Sequence, residues 1–146
     1  MKTKLLHSDA ERTYAVILEE GDEVMACLMS FAKAERLSAA SFKAIGAFQT
    51  ATLAFFDWSS KTYEPIPVEE QTEVASLTGD IALDDKGAPA LHVHAVLGKR
   101  DGSAVAGHLQ GGLVRPTLEI ILTEQPRHLR KRHDPASGLM LIDPEA

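Results

Sequence analysis

The chain has 146 residues, 45% of them hydrophobic and 25% charged, which is the balance of one globular domain with a sizeable core. Its formal net charge is −6 and Cys27 is its single cysteine, so composition argues against a DNA-binding basic face and excludes an internal disulfide framework. No apolar run approaches the roughly 18 residues that cross a bilayer, and the start lacks a secretory signal, so we expect a cytoplasmic protein without a membrane partner.

A strand and a helix are predicted near the start of the chain. Residues 12–20, RTYAVILEE, are rich in β-formers and end at Gly21, which predicts a strand. Asp22 follows at the position of a helix N-cap, where its carboxylate can accept hydrogen bonds from the free amides of the first turn. Apolar residues then recur at helical spacing as far as Leu37, which predicts a helix over about 22–36 with one face on the core.

The remainder of the chain is predicted to be mostly β-strand. Residues 38–68 are β-like and aromatic, and Gly46 indicates a bulge or tight corner between two strands. Further predicted elements are a strand pair at 72–83 hinged at Gly79-Asp80, a loop at 84–89, a histidine-rich hairpin at 91–112 and a strand at 116–124. This order predicts the α+β class, a mainly antiparallel β-sheet with one principal α-helix packed on it. We predict a single domain over 1–146, with a core at about 12–125 and a basic segment and tail at 126–146.

The hairpin LHVHAVLGKRDGSAVAGHLQGG, residues 91–112, holds three of the six histidines. A strand places residues i and i+2 on one face, so His92 and His94 point the same way. A three-residue loop at 100–102 suits this sequence because glycine readily takes the left-handed last position of such a loop. That loop would pair His94 with His108 and bring all three histidines to one face.

A second register of the same hairpin is also open. A two-residue loop at Asp101-Gly102 would pair Ala95 with His108 and turn His108 to the opposite face. The sequence alone therefore permits a three-histidine group in one register and breaks it in the other.

The first register has a plausible metal chemistry. Neutral imidazole is a good ligand for late first-row ions, and three protein ligands with an open fourth position are typical of catalytic zinc sites. We therefore predict a site for zinc or another divalent transition metal at His92, His94 and His108. Glu119, on the next predicted strand, is a candidate fourth ligand, catalytic general base or partner of a ligand. The alternative is a hydrogen-bonded histidine cluster at a core edge or subunit contact.

One local run departs from the acidic balance of the chain. Residues 127–133, RHLRKRH, are a candidate nucleic-acid contact. The basic candidates are Arg127, Arg130, Lys131 and Arg132, with Arg115 as an addition. The alternative is a solvated, mobile segment near the C-terminus. The isolated His7, His128 and His133 are predicted to be surface residues.

Several segments, taken in order, resemble the plants-and-prokaryotes-conserved (PPC) domain family. They are GDEVMACLMSFAKAERLSAASFKAIGAF, TEVASLTGDIAL and LHVHAVLGKRDGSAVAGHLQGGLVRPTLEIIL. The likeness runs from about Arg12 to Leu141 and is to the stand-alone prokaryotic type, because the chain has no R-G-R-P-type AT-hook. The resemblance implies an α+β homotrimer in which His92, His94 and His108 bind a metal, commonly zinc. More distantly, the chain resembles acetolactate decarboxylase, a metalloenzyme with an H-x-H…H zinc set.

Three functions are therefore open at this point. The favoured one is a homotrimeric binding or regulatory domain with a three-histidine metal site, in which the apolar segment TLAFFDW supplies part of the subunit contact. The second is a small metalloenzyme acting on a keto or hydroxy acid, with Glu119 as acid or base. The third is nucleic-acid binding through the C-terminal basic segment, with DNA or a DNA-binding protein as the partner.

Overall fold

A computed structural model describes residues 1–8 and 11–145; for residues 6–8 it describes the backbone alone. The predicted surface position of His7 therefore lies outside the described side chains. Within these residues the elements in chain order are β1 (Lys2–Ser8), β2 (Arg12–Glu19), α1 (Val24–Ala34), β3 (Ala39–Asp57), β4 (Thr62–Val68), β5 (Thr72–Leu83), β6 (Pro89–Gly98), β7 (Ala104–Glu124), β8 (Arg130–His133) and β9 (Met140–Asp143). No helix in the described part of the chain is long and apolar enough to span a membrane.

The strands form one sheet in the order β1-β2-β7-β3-β5-β8-β9, with β4 added to β3 and β6 joining β5 to β7. All pairs are antiparallel except a single bridge between β5 and β8. The predicted α+β class, a mainly antiparallel sheet with one helix, is confirmed. The pairs β3–β5, β5–β6, β6–β7 and β7–β3 form a closed circuit. Three register shifts between β3 and β7 let these long strands bend round it, since each bulge adds local twist.

Helix α1 packs its apolar face into the core of the sheet, with Val24, Leu28 and Phe31 buried. The helix begins at Val24, and its N-cap lies one residue later than the cap predicted at Asp22. Its cap is Glu23, whose carboxylate accepts from the amide of Ala26 at 2.7 Å and from the amide of Gly112 on β7 at 3.1 Å.

The reason for this correction is tertiary. The longer Glu23 side chain satisfies amides on both the helix and the sheet, whereas Asp22 accepts from the amide of Glu19 at 3.0 Å and pairs with the terminal amine of Met1 at 2.9 Å. The helix ends at Ala34 instead of residue 36, because Arg36 adopts a left-handed conformation with φ 54° that carries the chain to β3.

Two glycines that suggested breaks between strands lie inside continuous strands. The bulge predicted at Gly46 is confirmed, but β3 continues through it, so the predicted division into two strands was wrong. Gly79 lies within β5 without a hinge, so the strand pair predicted there was also wrong. Each glycine makes room for another part of the sheet. A Cβ on Gly46 would collide with the carbonyl oxygen of Thr117, and one on Gly79 would lie 2.6 Å from the carbonyl oxygen of His92. The return strand of the hairpin and the predicted strand 116–124 likewise form one strand, β7.

Four residues of the basic segment, Arg130–His133, form β8 of a C-terminal hairpin, which the sequence did not predict. β8 pairs antiparallel with β9 along all four of its residues. It is joined to β5 by the bridge between Leu83 and Arg130 and by the amide of Leu83 donating to Leu129 at 2.8 Å. β1, which sequence patterning did not predict, pairs with β2 at the opposite side of the sheet.

The contact at Gly46 predicts a stability effect. We expect Gly46→Ala to lower the free energy of unfolding by about 1–3 kcal/mol, because the added methyl group overpacks against the backbone at Thr117 and φ is +151°. Gly98→Ala is the matched control: its nearest new contact would be 3.9 Å away and φ is not positive, so we expect a change below about 1 kcal/mol. Denaturant unfolding at one protein concentration measures both, and equal losses would contradict the assignment.

Candidate metal centre

The β6–β7 hairpin adopts the three-residue loop that brings the histidines together. The amide of Lys99 donates to Ser103 at 2.8 Å, and Gly102 takes the left-handed position with φ 84°. His94 consequently lies directly opposite His108. The three-residue register is confirmed, and the alternative pairing of Ala95 with His108 is wrong. Asp101 favours this loop because its carboxylate accepts from both the amide and the hydroxyl of Ser103, at 2.9 and 2.6 Å.

The three histidines form a compact group on the outward face of β6 and β7. Each offers a ring nitrogen, and these atoms all lie within 4.8 Å of one another. The Nε2 atoms of His92 and His94 are 3.2 Å apart, and the three ring centroids are 5.0 to 5.5 Å apart. The alternate residues Val93, Ala95 and Leu97 are buried on the inner face, so the hydrophobic pattern of β6 holds the histidines outward.

The strands β3 and β4 support the His108 ring. Tyr63 stacks on it with centroids 4.6 Å apart and an interplanar angle of 29°, and Phe56 packs against Tyr63 at 5.2 Å. The preceding Gly107 allows β7 to approach β3, because a Cβ there would lie 2.7 Å from the carbonyl oxygen of Ala54. Sequence reasoning did not identify Tyr63, since only the pairing of β4 with β3 brings it beside β7.

The electrostatics of the group favour neutral imidazoles. Burial, reinforced by His92, His94 and Lys131, lowers the pKa of His108 to about 4. Burial also lowers the pKa of His92, although the Asp80 carboxylate acts in the opposite direction. The Nδ1 atom of His108 is buried and has no hydrogen-bond partner among the described residues. Neutral rings with free lone pairs are the state in which histidine binds a metal, so the residues present fit a divalent ion.

A carboxylate and a lysine that sequence reasoning did not place here lie behind His92. Asp80 is the cross-strand neighbour of His92 on β5, and its Oδ2 lies 3.5 Å from His92 Nδ1. Its other oxygen, Oδ1, lies 2.7 Å from the Nζ of Lys131, a residue that is only 3% exposed. The alternation along the strand predicted only that His92 faces outward. Its partners Asp80 and Lys131 could be found only from the pairing of β5 with β6 and from the position of β8.

The structure does not bring Glu119 to the histidine group. It lies on β7 opposite Ile17 of β2 and Ile45 of β3, and is exposed. Strands β3 and β5 separate this part of β7 from His94 on β6, a distance of roughly 14 Å at the usual spacing between strands. Glu119 was expected near the histidines because it lies on the next predicted strand. That strand is in fact the second half of the long β7, whose first half carries His108.

The four basic candidates of the C-terminal segment have different environments. Lys131 is buried against Asp80, Arg132 pairs with Asp143 at 3.2 Å, and Arg127 is exposed. Arg130 is half-buried at the bridge to β5. The additional candidate Arg115 pairs with Glu20 at 2.7 Å. His128 and His133 are exposed, as predicted.

Comparison with known proteins gives a family and several similar structures. The sequence model of the Plants and Prokaryotes Conserved (PCC) domain matches residues 6–126. None of the curated proteins compared matches the chain significantly. A Bacteroides thetaiotaomicron structure described as a "putative dna binding protein" is 26% identical, covers 99% of both chains and has a TM-score of 0.87.

Two archaeal structures and one more distant bacterial structure are also similar. A plant- and prokaryote-conserved (PPC) protein of Pyrococcus horikoshii is 29% identical over 97% of this chain and 94% of its own, with a TM-score of 0.84. A metal-containing protein of Archaeoglobus fulgidus is 26% identical over 97% and 99%, with a TM-score of 0.82. A Staphylococcus aureus protein similar to alpha-acetolactate decarboxylase is 12% identical over 76% and 51%, with a TM-score of 0.51, and shows a likeness of fold alone.

The lowered pKa of His108 predicts a pH dependence of stability in metal-free protein. The folded-state pKa of about 4 lies below the usual 6.5, so the unfolded chain takes up this proton first. The free energy of unfolding is therefore not reduced by His108 above about pH 6.5, and it falls as the pH drops from there towards 4. We expect a loss on the order of 1–2 kcal/mol from this ring, reduced from the full linkage value by solvent screening.

The control for this prediction is His108→Gln, which has no titrating ring. Denaturant unfolding in the presence of a chelator, at several pH values, should give a shallower decline for this variant than for the wild type. Parallel declines would show that other groups account for the acid sensitivity.

Proposed function

Because the chain belongs to the Plants and Prokaryotes Conserved domain family, we propose that it is a homotrimeric metal-binding, regulatory domain. Membership agrees with the resemblance drawn from the ordered sequence segments. The observation that carries the proposal is the group of three ring nitrogens, one from each of His92, His94 and His108, within 4.8 Å of one another. The description of the Archaeoglobus fulgidus protein as metal-containing supports the same reading.

Zinc is the metal that the donor set favours. Three neutral imidazole nitrogens suit zinc and neighbouring late transition metals better than the oxygen-seeking magnesium or calcium. His92, His94 and His108 would hold the ion and leave it open to water or a small ligand, to which the metal would supply Lewis-acid chemistry. The chain itself supplies the outward histidines, the stacked Tyr63 beside His108 and the Asp80 carboxylate beside His92.

The apolar outward face of the sheet supports self-association. Ile45 is 63% exposed, with Ile121 and Val96 at 40% and 38%, which is a large apolar area for a free surface. A groove of about 620 Å³ lies beside Ile45 and Ile121, and Lys43 and Glu119 line it with opposite charges. We propose that a second copy of the chain occupies this face, and that Glu119 serves the subunit contact. Phe55 and Trp58 of TLAFFDW, each 62% exposed, are further large apolar side chains at the surface.

The two alternatives have weaker support in this chain. An enzyme would need an acid or base beside the metal, and the residue named for that role, Glu119, is separated from His92 and His94 on β6 by the two strands β3 and β5. Nucleic-acid binding through the basic segment is weakened as a proposal because Lys131 is buried in a contact with Asp80 and Arg132 is paired with Asp143. The net charge of −6 gives that segment no wider basic surface. We therefore assign neither activity.

The metal proposal predicts a stoichiometric site that depends on each histidine. Tag-free protein incubated with zinc and desalted should retain about one zinc per chain, measured by elemental analysis. His94→Ala and His108→Ala should each weaken zinc binding by more than about 100-fold in chelator competition, exceeding the usual effect of losing an outer partner. His128→Ala, which changes an exposed histidine outside the group, should bind zinc like the wild type. Absence of zinc from wild-type protein, or its retention by both group variants, would refute the proposal.

The association proposal predicts an assembly that one charge can disrupt. Size-exclusion chromatography with light scattering should give three times the 15.8 kDa chain mass for the wild type. Ile45→Glu should give a smaller species, because a buried unpaired carboxylate is costly in the contact. Leu141→Glu is the control, since Leu141 is 45% exposed on β9, a strand that does not line the groove. A monomeric wild type, or an Ile45→Glu protein of unchanged mass, would contradict the assignment.

A further inference from the structure

The C-terminal hairpin β8–β9 reaches the histidine group although it lies beyond the residues that the family's sequence model matches. That match ends at residue 126, and β8 begins at Arg130. A single backbone bridge joins the hairpin to β5, so its side chains matter for its placement. Along β8 the side chain of Lys131 turns inward, whereas that of its neighbour Arg132 is 65% exposed.

Lys131 has an ion-pair partner and a hydrogen-bond acceptor beneath the outer face. Its Nζ lies 2.7 Å from Asp80 Oδ1 and 3.5 Å from the carbonyl oxygen of Ala90, which precedes the histidines on β6. An ammonium that is 3% exposed is stable in this place only because a charge partner compensates its lost hydration. The Asp80 carboxylate is thus held from one side by a buried cation.

The second oxygen of Asp80 faces His92. Asp80 and His92 are direct cross-strand neighbours, and Oδ2 lies 3.5 Å from Nδ1, an ion-pair separation slightly longer than a hydrogen bond. A carboxylate beside one ring nitrogen of a histidine, here Nδ1, favours a proton on that nitrogen, because the N–H can donate to the carboxylate. In metal sites the same arrangement selects the tautomer and orients the ring.

The contact between His92 and His94 is consistent with this location of the proton. Their Nε2 atoms are 3.2 Å apart, a distance that suits one proton between them. One ring must then donate from Nε2 and the other accept there. A proton on Nδ1 of His92, facing Asp80, makes His92 the acceptor and His94 the donor.

We propose that Asp80, oriented by Lys131, is a positioning residue that holds His92 in its Nδ1–H tautomer and presents its Nε2 lone pair to the centre. The C-terminal hairpin then contributes to the histidine site through Lys131, the residue of β8 whose ammonium contacts Asp80. The assignment of the tautomer concerns metal-free protein, and only its consequence for metal affinity rests on the proposed function.

The tautomer is read directly by long-range ¹H–¹⁵N correlation spectra of the imidazole rings. The sample is ¹⁵N-labelled, full-length protein with a chelator present, at a pH where the rings are neutral. We expect the Nδ1–H pattern for His92 in the wild type. Asp80→Ala should shift His92 towards the Nε2–H form, and Asp80→Asn, which retains an acceptor oxygen, should restore part of the wild-type pattern.

Lys131 is tested with a matched pair of variants on β8. Lys131→Met removes the ammonium while keeping side-chain length, and should shift His92 in the same direction as Asp80→Ala but less far. Arg132→Met changes the adjacent, outward residue and should leave the spectrum unchanged. Circular dichroism and the amide spectrum establish whether each variant is folded. If Lys131→Met does not fold, Asp80→Asn still tests the assignment.

Zinc affinity of the same variants links the tautomer to the proposed centre. Chelator competition should show a loss of about 10–100-fold for Asp80→Ala, a smaller loss for Lys131→Met and none for Arg132→Met. An Nε2–H pattern in the wild type, or an unchanged pattern in folded Asp80→Ala, overturns the assignment. A tautomer shift without any change in zinc affinity overturns its link to metal binding. Failure of the wild type to bind zinc while the tautomer responds as expected refutes the proposed function and leaves the role of Asp80 standing.

Discussion

The position of β6 between β5 and β7 is the constraint on which the rest of this structure depends. β5 and β7 both pair with β3, so β6 closes the circuit of strands. That register places His94 opposite His108 and His92 opposite Asp80. A slip of one residue would turn the histidines into the core and the apolar residues between them outward, at a cost in buried polar groups and exposed apolar area. Burial of the core and assembly of the histidine group are therefore consequences of the same pairing.

Charge around the histidine group is arranged to keep the rings neutral without leaving a cation unpaired. Burial lowers the pKa of His108 and of His92, and the proximity of the rings adds to the effect. The Lys131 ammonium acts in the same direction, yet Asp80 neutralises it at 2.7 Å. A bare lysine here would repel a metal ion; paired with Asp80 it leaves a nearly neutral support behind His92. Neutral imidazole nitrogens and a compensated second layer are both favourable to a divalent cation.

The histidine group and the apolar groove share one face of the sheet. Thr78 lines the groove and is also the cross-strand partner of His94. The proposed centre thus lies at the margin of the proposed subunit contact, where occupation of the groove would limit solvent access to the histidines. Glu119 lies in the groove, opposite Ile45. Its position in the groove fits the proposed subunit contact and is distant from the histidine group.

The sequence by itself determined the elements that depend on local periodicity: the β2 strand, the helix and the α+β class. It also offered the three-residue loop that unites His92, His94 and His108, and the structure decided between that loop and the two-residue alternative. The elements and the offered loop follow from alternation within a strand and from a glycine at a left-handed turn position, which are short-range constraints. Tertiary structure alone decided that Gly46 and Gly79 lie inside long strands, because their role is to admit a distant backbone. It also decided that Lys131 is buried and Glu119 remote from the histidines, since both outcomes depend on which strands become neighbours. Charge and residue type do not encode that adjacency; pairing between segments distant in the chain does.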